Sequence, residues 1–147
     1  MKIDDAIQST FKSPQMKAAI NIRYTSNYFA ARQNAFMANY GISMAQFNIL
    51  RILRGAKDMV SVNVVKARMV EKSPNTTRLM DKLIDKGFIT RERCENDRRV
   101  VYVKISGKGL ELLTEIDKCF SELNVASDKL TDDEANLLSN LLDKCRG

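Results

Sequence analysis

Between Ser73 and Ile105 the sequence changes period twice, and that change constrains the fold more than any other feature. From Ser73-Pro74 to Lys86-Gly87, Leu79, Met80 and Leu83 recur at helical spacing, with an N-cap serine and proline before them and a stop glycine after. The period then falls to two. Phe88 to Arg93 and Val100 to Ile105 read as short strands, the second alternating through Val101, Val103 and Ile105. The connecting loop, Cys94-Glu95-Asn96-Asp97-Arg98-Arg99, ends in an acid and two arginines. A helix with a polar, cationic first half is thus followed at once by a hairpin with a basic tip.

The chain's 147 residues suffice for one domain with a real core. Its net charge of +6 is unevenly spread. Residues 43–108 hold 15 Lys and Arg against 7 Asp and Glu, residues 1–42 hold 5 against 2, and residues 109–147 hold 4 against 9. A polyanionic partner for the middle segment is the natural inference. No run approaches the roughly 18 apolar residues of a membrane span. Asp4 and Asp5 stand where a secretory apolar core would have to be, so a cytoplasmic protein with no membrane association is expected.

The chain has no histidine, which removes the commonest general base and the commonest transition-metal ligand. Its three cysteines, Cys94, Cys119 and Cys145, form no CxxC pair, and an odd number argues against a disulfide framework. The glycines form no phosphate-cradling loop, so no catalytic residue, cofactor or metal is assigned and the chain is not read as an enzyme.

Helix punctuation is clear elsewhere. Ser13-Pro14 repeats the serine–proline start, Ser43 to Gln46 and Thr131 to Glu134 are capping boxes, and Gly41, Gly55 and Gly87 read as stops. An arm with Ile3, Ile7 and Phe11 leads into a long helix over about 14–39, followed by helices over 44–54 and 62–69. After the hairpin come helices over 107 to about 126, with Leu110, Leu113, Ile116, Phe120 and Leu123, and over 132–144, with Leu137, Leu138, Leu141 and Leu142. The first and last two helices cannot all wrap the small centre, and packing them against a second copy would bury their apolar faces. The expected fold is therefore mainly α with a small antiparallel β-hairpin wing. Residues 1–42 form an arm and first dimerisation helix, 43–106 a winged helix-turn-helix lobe, and 107–147 the C-terminal dimerisation helices of a homodimer.

A winged helix holds duplex DNA by laying one helix in the major groove while the hairpin reaches a neighbouring groove or phosphate. With Leu79, Met80 and Leu83 inward, Asn75, Thr77, Arg78 and Lys82 fall on or beside the exposed side. Asn suits adenine and Arg suits guanine through paired hydrogen bonds, while Ser73 and Thr77 suit phosphates. At the wing tip Arg98 and Arg99 point in opposite directions, so one of them enters a groove. A carboxylate repels DNA, so Asp97 is expected to accept hydrogen bonds within the loop and shape it.

Asp97-Arg98-Arg99, the strand Val100 to Lys104, and Ile105-Ser106-Gly107-Lys108-Gly109 resemble a signature of the MarR (multiple antibiotic resistance regulator) family. That signature runs Asp-x-Arg, an apolar strand, then Leu-Thr-x-x-Gly. Thr77 to Leu83, with Lys86-Gly87-Phe88-Ile89 and Arg91, resemble the family's recognition helix and the turn after it. Ile105 and Ser106 replace Leu and Thr conservatively, Thr76 stands where an inward apolar residue is usual, and Pro74 removes one N–H from the helix start. The resemblance implies a homodimeric winged helix-turn-helix repressor on a pseudo-palindromic operator, with Arg78 and the residues before it facing the major groove. Arg99 would act in the wing, with Asp97 in support.

The resemblance also implies a small aromatic effector, held in a cleft that Tyr24, Tyr28, Phe29, Phe36, Tyr40 and Phe47 would line. An aromatic stripe at helical spacing is more often plain core, and core is the expectation here. Peroxide sensing through a first-helix cysteine does not transfer, since no cysteine precedes Cys94. Cys94 lies among Arg93, Arg98 and Arg99, which would favour a thiolate, but lone cysteines are usually structural. The competing function is a nucleic-acid-associated adaptor without sequence choice, or one whose basic lobe docks an acidic protein.

Overall fold

Hydroxyl side chains start most of the helices in the computed structural model, which describes residues 1–119 and 129–147. Helix α1 is Ile3–Ile7 and α2 is Pro14–Ala38, opened by Ser13, whose Oγ accepts from the Met16 N–H at 3.1 Å with Pro14 in the first position. Helix α3, Met44–Ala56, has the expected capping box between Ser43 and Gln46. It runs past Gly55, which is not a stop. Lys57 ends it instead, in the left-handed region at φ 60°. Gly41 and Gly87 do end helical runs, at φ +70° and +76°, where a Cβ would be strained.

A two-residue strand β1, Val60–Ser61, precedes α4, Val62–Arg68, and α5 is Thr76–Asp85. Strands β2, Ile89–Arg93, and β3, Val101–Ile105, form the hairpin, with β3 central in the antiparallel order β1-β3-β2. Arg91 pairs with Val103 in the hairpin, and Val60 pairs with Val103 from the other side. Two residues carry no readable period, so β1 has no sequence signature. Helix α6 is Gly107–Lys118, and the final helix, α7, is Asp132–Arg146 with its capping box from Thr131 to Glu134. The expected extension of α6 through Phe120 and Leu123 to Ala126 lies outside the described residues.

Helix α3 is the hub of the core. Its Phe47, Leu50 and Leu53 are buried as the sequence predicted, against Val65 and Met69 after α3, Met80 and Leu83 of α5, Ile89 and Val103 of the sheet, and Leu113 and Ile116 of α6. Gly109 closes this packing: a Cβ there would collide with the Phe88 carbonyl oxygen. Ser106 explains the neighbouring polar residue, because its Oγ accepts from the Gly109 N–H at 3.1 Å and donates to the Gly87 carbonyl at 2.6 Å. One serine therefore starts α6 and ties it to the turn after α5.

The terminal helices are packed differently. Met37 is the one buried residue of α2, and α7 has none, with Leu137, Leu138 and Leu141 60%, 46% and 51% exposed. Leu110 of α6 is exposed too. The arm is docked by Ile3, which is buried, and by an ion pair from Lys17 to Asp4, while Phe11 falls outside α1. No helix among the described residues is long and apolar enough to cross a membrane.

Candidate nucleic-acid interface

The helix-turn-helix is α4 and α5 with the turn between them, and that turn corrects one expectation. Ser73 does not cap α5 and Pro74 is not its first residue. The helix begins at Thr76, and Asn75 is its N-cap without a side-chain capping bond. The reason lies in Thr76. Its side chain is buried, and its Oγ1 donates to the Ser73 carbonyl at 2.9 Å, folding residues 73–76 into a tight turn. Ser73 Oγ accepts from the Asn75 N–H at 3.1 Å within the same turn. Thr76 thus takes the inward place usual for an apolar residue by satisfying its hydroxyl locally.

The turn leaves the Asn75 side chain exposed at the start of α5. Thr77, Arg78 and Lys82 are exposed as well, Arg78 and Lys82 one turn apart on the same face, while Met80 and Leu83 are buried beneath them. Asn75, Arg78 and Lys82 therefore share the outer side of α5. Ser73 is half-buried and sits at its edge.

In the wing, strands begin one residue later than the pattern indicates, at Ile89 and Val101. Asp97 Oδ1 accepts from the Arg99 N–H at 3.0 Å, and the Asp97 carbonyl accepts from the Val100 N–H at 2.9 Å. Below them, the Cys94 N–H donates to the Val100 carbonyl at 2.9 Å. These bonds give the loop a defined shape and leave Arg98 and Arg99 exposed. Cys94 is half-buried at the loop's base.

Some cations of the lobe are engaged by other elements. Arg54 pairs with Asp117 at 2.7 Å, Arg91 with Asp81 at 2.9 Å, and Lys104 approaches Asp58 at 4.0 Å. Lys86 donates to the Gly41 carbonyl, and Lys108 donates to the Lys86 carbonyl at 2.9 Å. These cations hold elements together. Arg78, Lys82, Arg98 and Arg99 make no ion pair among the described residues.

A cavity of about 250 Å³ lies between α4, α5 and the hairpin. Met80, Ile84 and Val101 contribute apolar lining, and Lys66, Thr77, Asp81, Arg91 and Arg99 contribute polar lining. Arg98 does not line it. Sequence reading missed the parts of this cavity supplied by α4, Asn63 and Lys66, and also missed the Asp81–Arg91 pair. Exposed polar residues on α4 were the only available signal for the first. The second joins two elements and has no local signal.

The aromatic residues split. Phe47 is core, and Phe36 and Tyr40 pack against the core in tilted contact at 5.5 Å between ring centres. Tyr24 and Tyr28 are exposed, so the expectation of core fails for them. With Met1, Ile3, Ala6, Asn21 and Thr25 they line a second cavity, of about 360 Å³, under the N-terminal arm.

Residues 42–101 match the model of the MarR family. They run from the turn after α2 through α3, the helix-turn-helix and β2 to the first residue of β3. This lobe is similar to the MarR family. Solved structures extend the likeness to the terminal helices. A mutant MarR from E. coli complexed with operator DNA is 24% identical, with a TM-score of 0.79 over 93% of this chain and 99% of that one. A MarR transcription factor from Planctomyces limnophilus is 27% identical, with a TM-score of 0.71 over 91% and 98%. BpsR of Bordetella bronchiseptica, whose DNA binding is regulated by 6-hydroxynicotinic acid, is 18% identical, with a TM-score of 0.78 over 89% and 99%. The MarR winged helix-turn-helix thus accounts for both the lobe and the helices that flank it.

Proposed function

We propose that this chain is a MarR-type, sequence-specific regulator of transcription, acting as a homodimeric repressor on a pseudo-palindromic duplex operator. One observation carries the reading: Arg78, Lys82, Arg98 and Arg99 are exposed, make no ion pair among the described residues, and lie together on the outer side of α5 and at the wing tip, while Arg54 and Arg91 are engaged by Asp117 and Asp81. Asn75 and Arg78 read base edges in the major groove, and Ser73, Thr77 and Lys82 meet phosphates beside them. Arg99 is the wing's favoured groove contact, with Asp97 shaping its loop. The exposed leucines of α7 and the exposed face of α2 pair with the same elements of a second copy. Two recognition helices then meet one duplex about one helical turn (~34 Å) apart.

A small aromatic effector fits the same reading, since DNA binding by the structurally similar BpsR is regulated by 6-hydroxynicotinic acid. An apolar floor beside cations, as in the cavity under the wing, is suited to an aromatic anion.

Selection of bound duplexes from a random pool tests the proposal directly. The expected product is a pseudo-palindrome with half-sites about 10 base pairs apart, bound with a steep salt dependence. Steep salt dependence without any enriched sequence would replace the regulator with the non-specific adaptor.

A further inference from the structure

Asp81 is an unexpected residue on a helix that faces a polyanion. It lies three residues after Arg78, and a carboxylate there adds repulsion to every nearby phosphate. Its partner is Arg91, at the middle of β2, with 2.9 Å between Oδ1 and Nη1. Both side chains are about half exposed, so the pair adds little to folding stability. Its geometry is more informative than its energy. The hairpin is pinned at its root, where the Phe88 N–H donates to the Leu83 carbonyl at 2.9 Å and Ser106 bonds to Gly87. Val103 and Tyr102 of β3 pair with β1 at the start of α4, and on the β2 side a cavity lies between the hairpin, α4 and α5. Arg91 lies two residues beyond the first residue of β2, and its ion pair with Asp81 ties the β2 edge of the hairpin to α5 beside that cavity.

We propose that Asp81 is a positioning residue for DNA recognition: through Arg91 it holds the wing at a fixed angle to α5, so that Arg99 and Arg78 engage one duplex together. The inference rests on the duplex-binding reading above. It predicts the opposite sign from simple charge counting. Replacing Asp81 by Asn makes the recognition face more positive, which by itself strengthens binding. Loss of the clasp instead lets the wing rock about its root, so the two arginines reach their groove and phosphate positions less often.

The test compares Asp81→Asn, Arg91→Gln and the double variant with the unaltered protein, using the duplex that the latter selects and a scrambled duplex of equal length. The expected result is a roughly three- to tenfold loss of affinity for the selected duplex in Asp81→Asn. Binding to the scrambled duplex should be unchanged or tighter, and the thermal midpoint should be unchanged. Arg91→Gln should add little once Asp81 is already Asn. Equal or tighter binding of Asp81→Asn to the selected duplex overturns the proposal, and so does a full additional loss in the double variant. A second arm needs no DNA: backbone ¹⁵N order parameters of residues 94–100 should fall in Asp81→Asn, and unchanged values overturn the clasp. If the unaltered protein prefers no duplex, the recognition reading fails, and the order parameters still judge the clasp.

Discussion

The central lobe and the terminal helices of this chain follow opposite rules. In the lobe, helices as short as α4 and strands as short as β1 contribute to one closed core around Phe47, Leu50 and Leu53. In the terminal regions, the two longest helices among the described residues bury almost nothing, one residue of α2 and none of α7. The lobe is complete as one chain and presents polar groups to a partner. The terminal helices leave apolar side chains exposed, Met16, Ile22, Tyr24 and Tyr28 on α2 and Leu137, Leu138 and Leu141 on α7. Burial of apolar area drives association, so the two surfaces suit the two partners proposed for them: an anion for the first and an apolar face for the second.

The largest expected effect breaks the lobe's side of this contrast. Gly109→Ala places a methyl group against the Phe88 carbonyl, which cannot move without shifting the root of the wing. The variant should lose about 3 kcal/mol, the upper end for overpacking, in urea unfolding followed by circular dichroism. Next comes the terminal side. Leu141→Glu should weaken self-association on the order of a hundredfold, because a charge would be carried into an apolar interface, while the lobe stays folded. Sedimentation velocity reads the first result and the far-ultraviolet spectrum the second. A dimer unaffected by Leu141→Glu would move the interface elsewhere.

Arg78→Ala and Arg99→Ala sharpen the division of labour within the lobe. Arg78→Ala should cost about 1–3 kcal/mol on the selected duplex and relax base preference at one position. Arg99→Ala should weaken binding while leaving fold and dimer intact. A uniform loss across sequences for Arg78→Ala would reduce it to a phosphate contact. Thr76→Val is smaller: it keeps the buried shape and removes the bond to the Ser73 carbonyl, costing about 1 kcal/mol in urea unfolding.

The smallest effects are at the termini and depend on pH. Hydrogen bonding from Lys17 holds the Asp4 carboxyl below its usual range, and the Thr131 N–H does the same for Glu134. Both folded-state values lie below the unfolded ones. Their contributions are therefore present above the ordinary carboxylate range and are lost as pH falls through the lowered values. Below that range the arm and the start of α7 should fray before the lobe unfolds, seen as lower amide protection factors there in acid.

Much of this architecture was legible in the chain. Ser13, Ser43 and Thr131 start helices through local side-chain bonds, and local bonds leave local signatures. The inward leucines of α3 and α5 follow from period alone. The exposed placement of Asn75, Thr77, Arg78 and Lys82 followed from the same period, because fixing one face of a helix fixes the other. The start of α5 did not follow, because Ser73-Pro74 satisfies the rule for a helix start equally well. Burial of Thr76 against the core decides between them.

The sequence by itself determined the order of helices and strands, the basic centre between less basic and acidic flanks, and the exposed face of α5. Each of these depends on neighbours within a turn or two. Tertiary structure alone decided which cations are available. Arg54, Arg91 and Arg99 are the same residue type in the same basic segment, yet Asp117 engages the first and Asp81 the second. It also decided that β1 joins the sheet and that Gly109 must be glycine. Those outcomes depend on atoms brought together from distant parts of the chain, and no local pattern encodes their meeting.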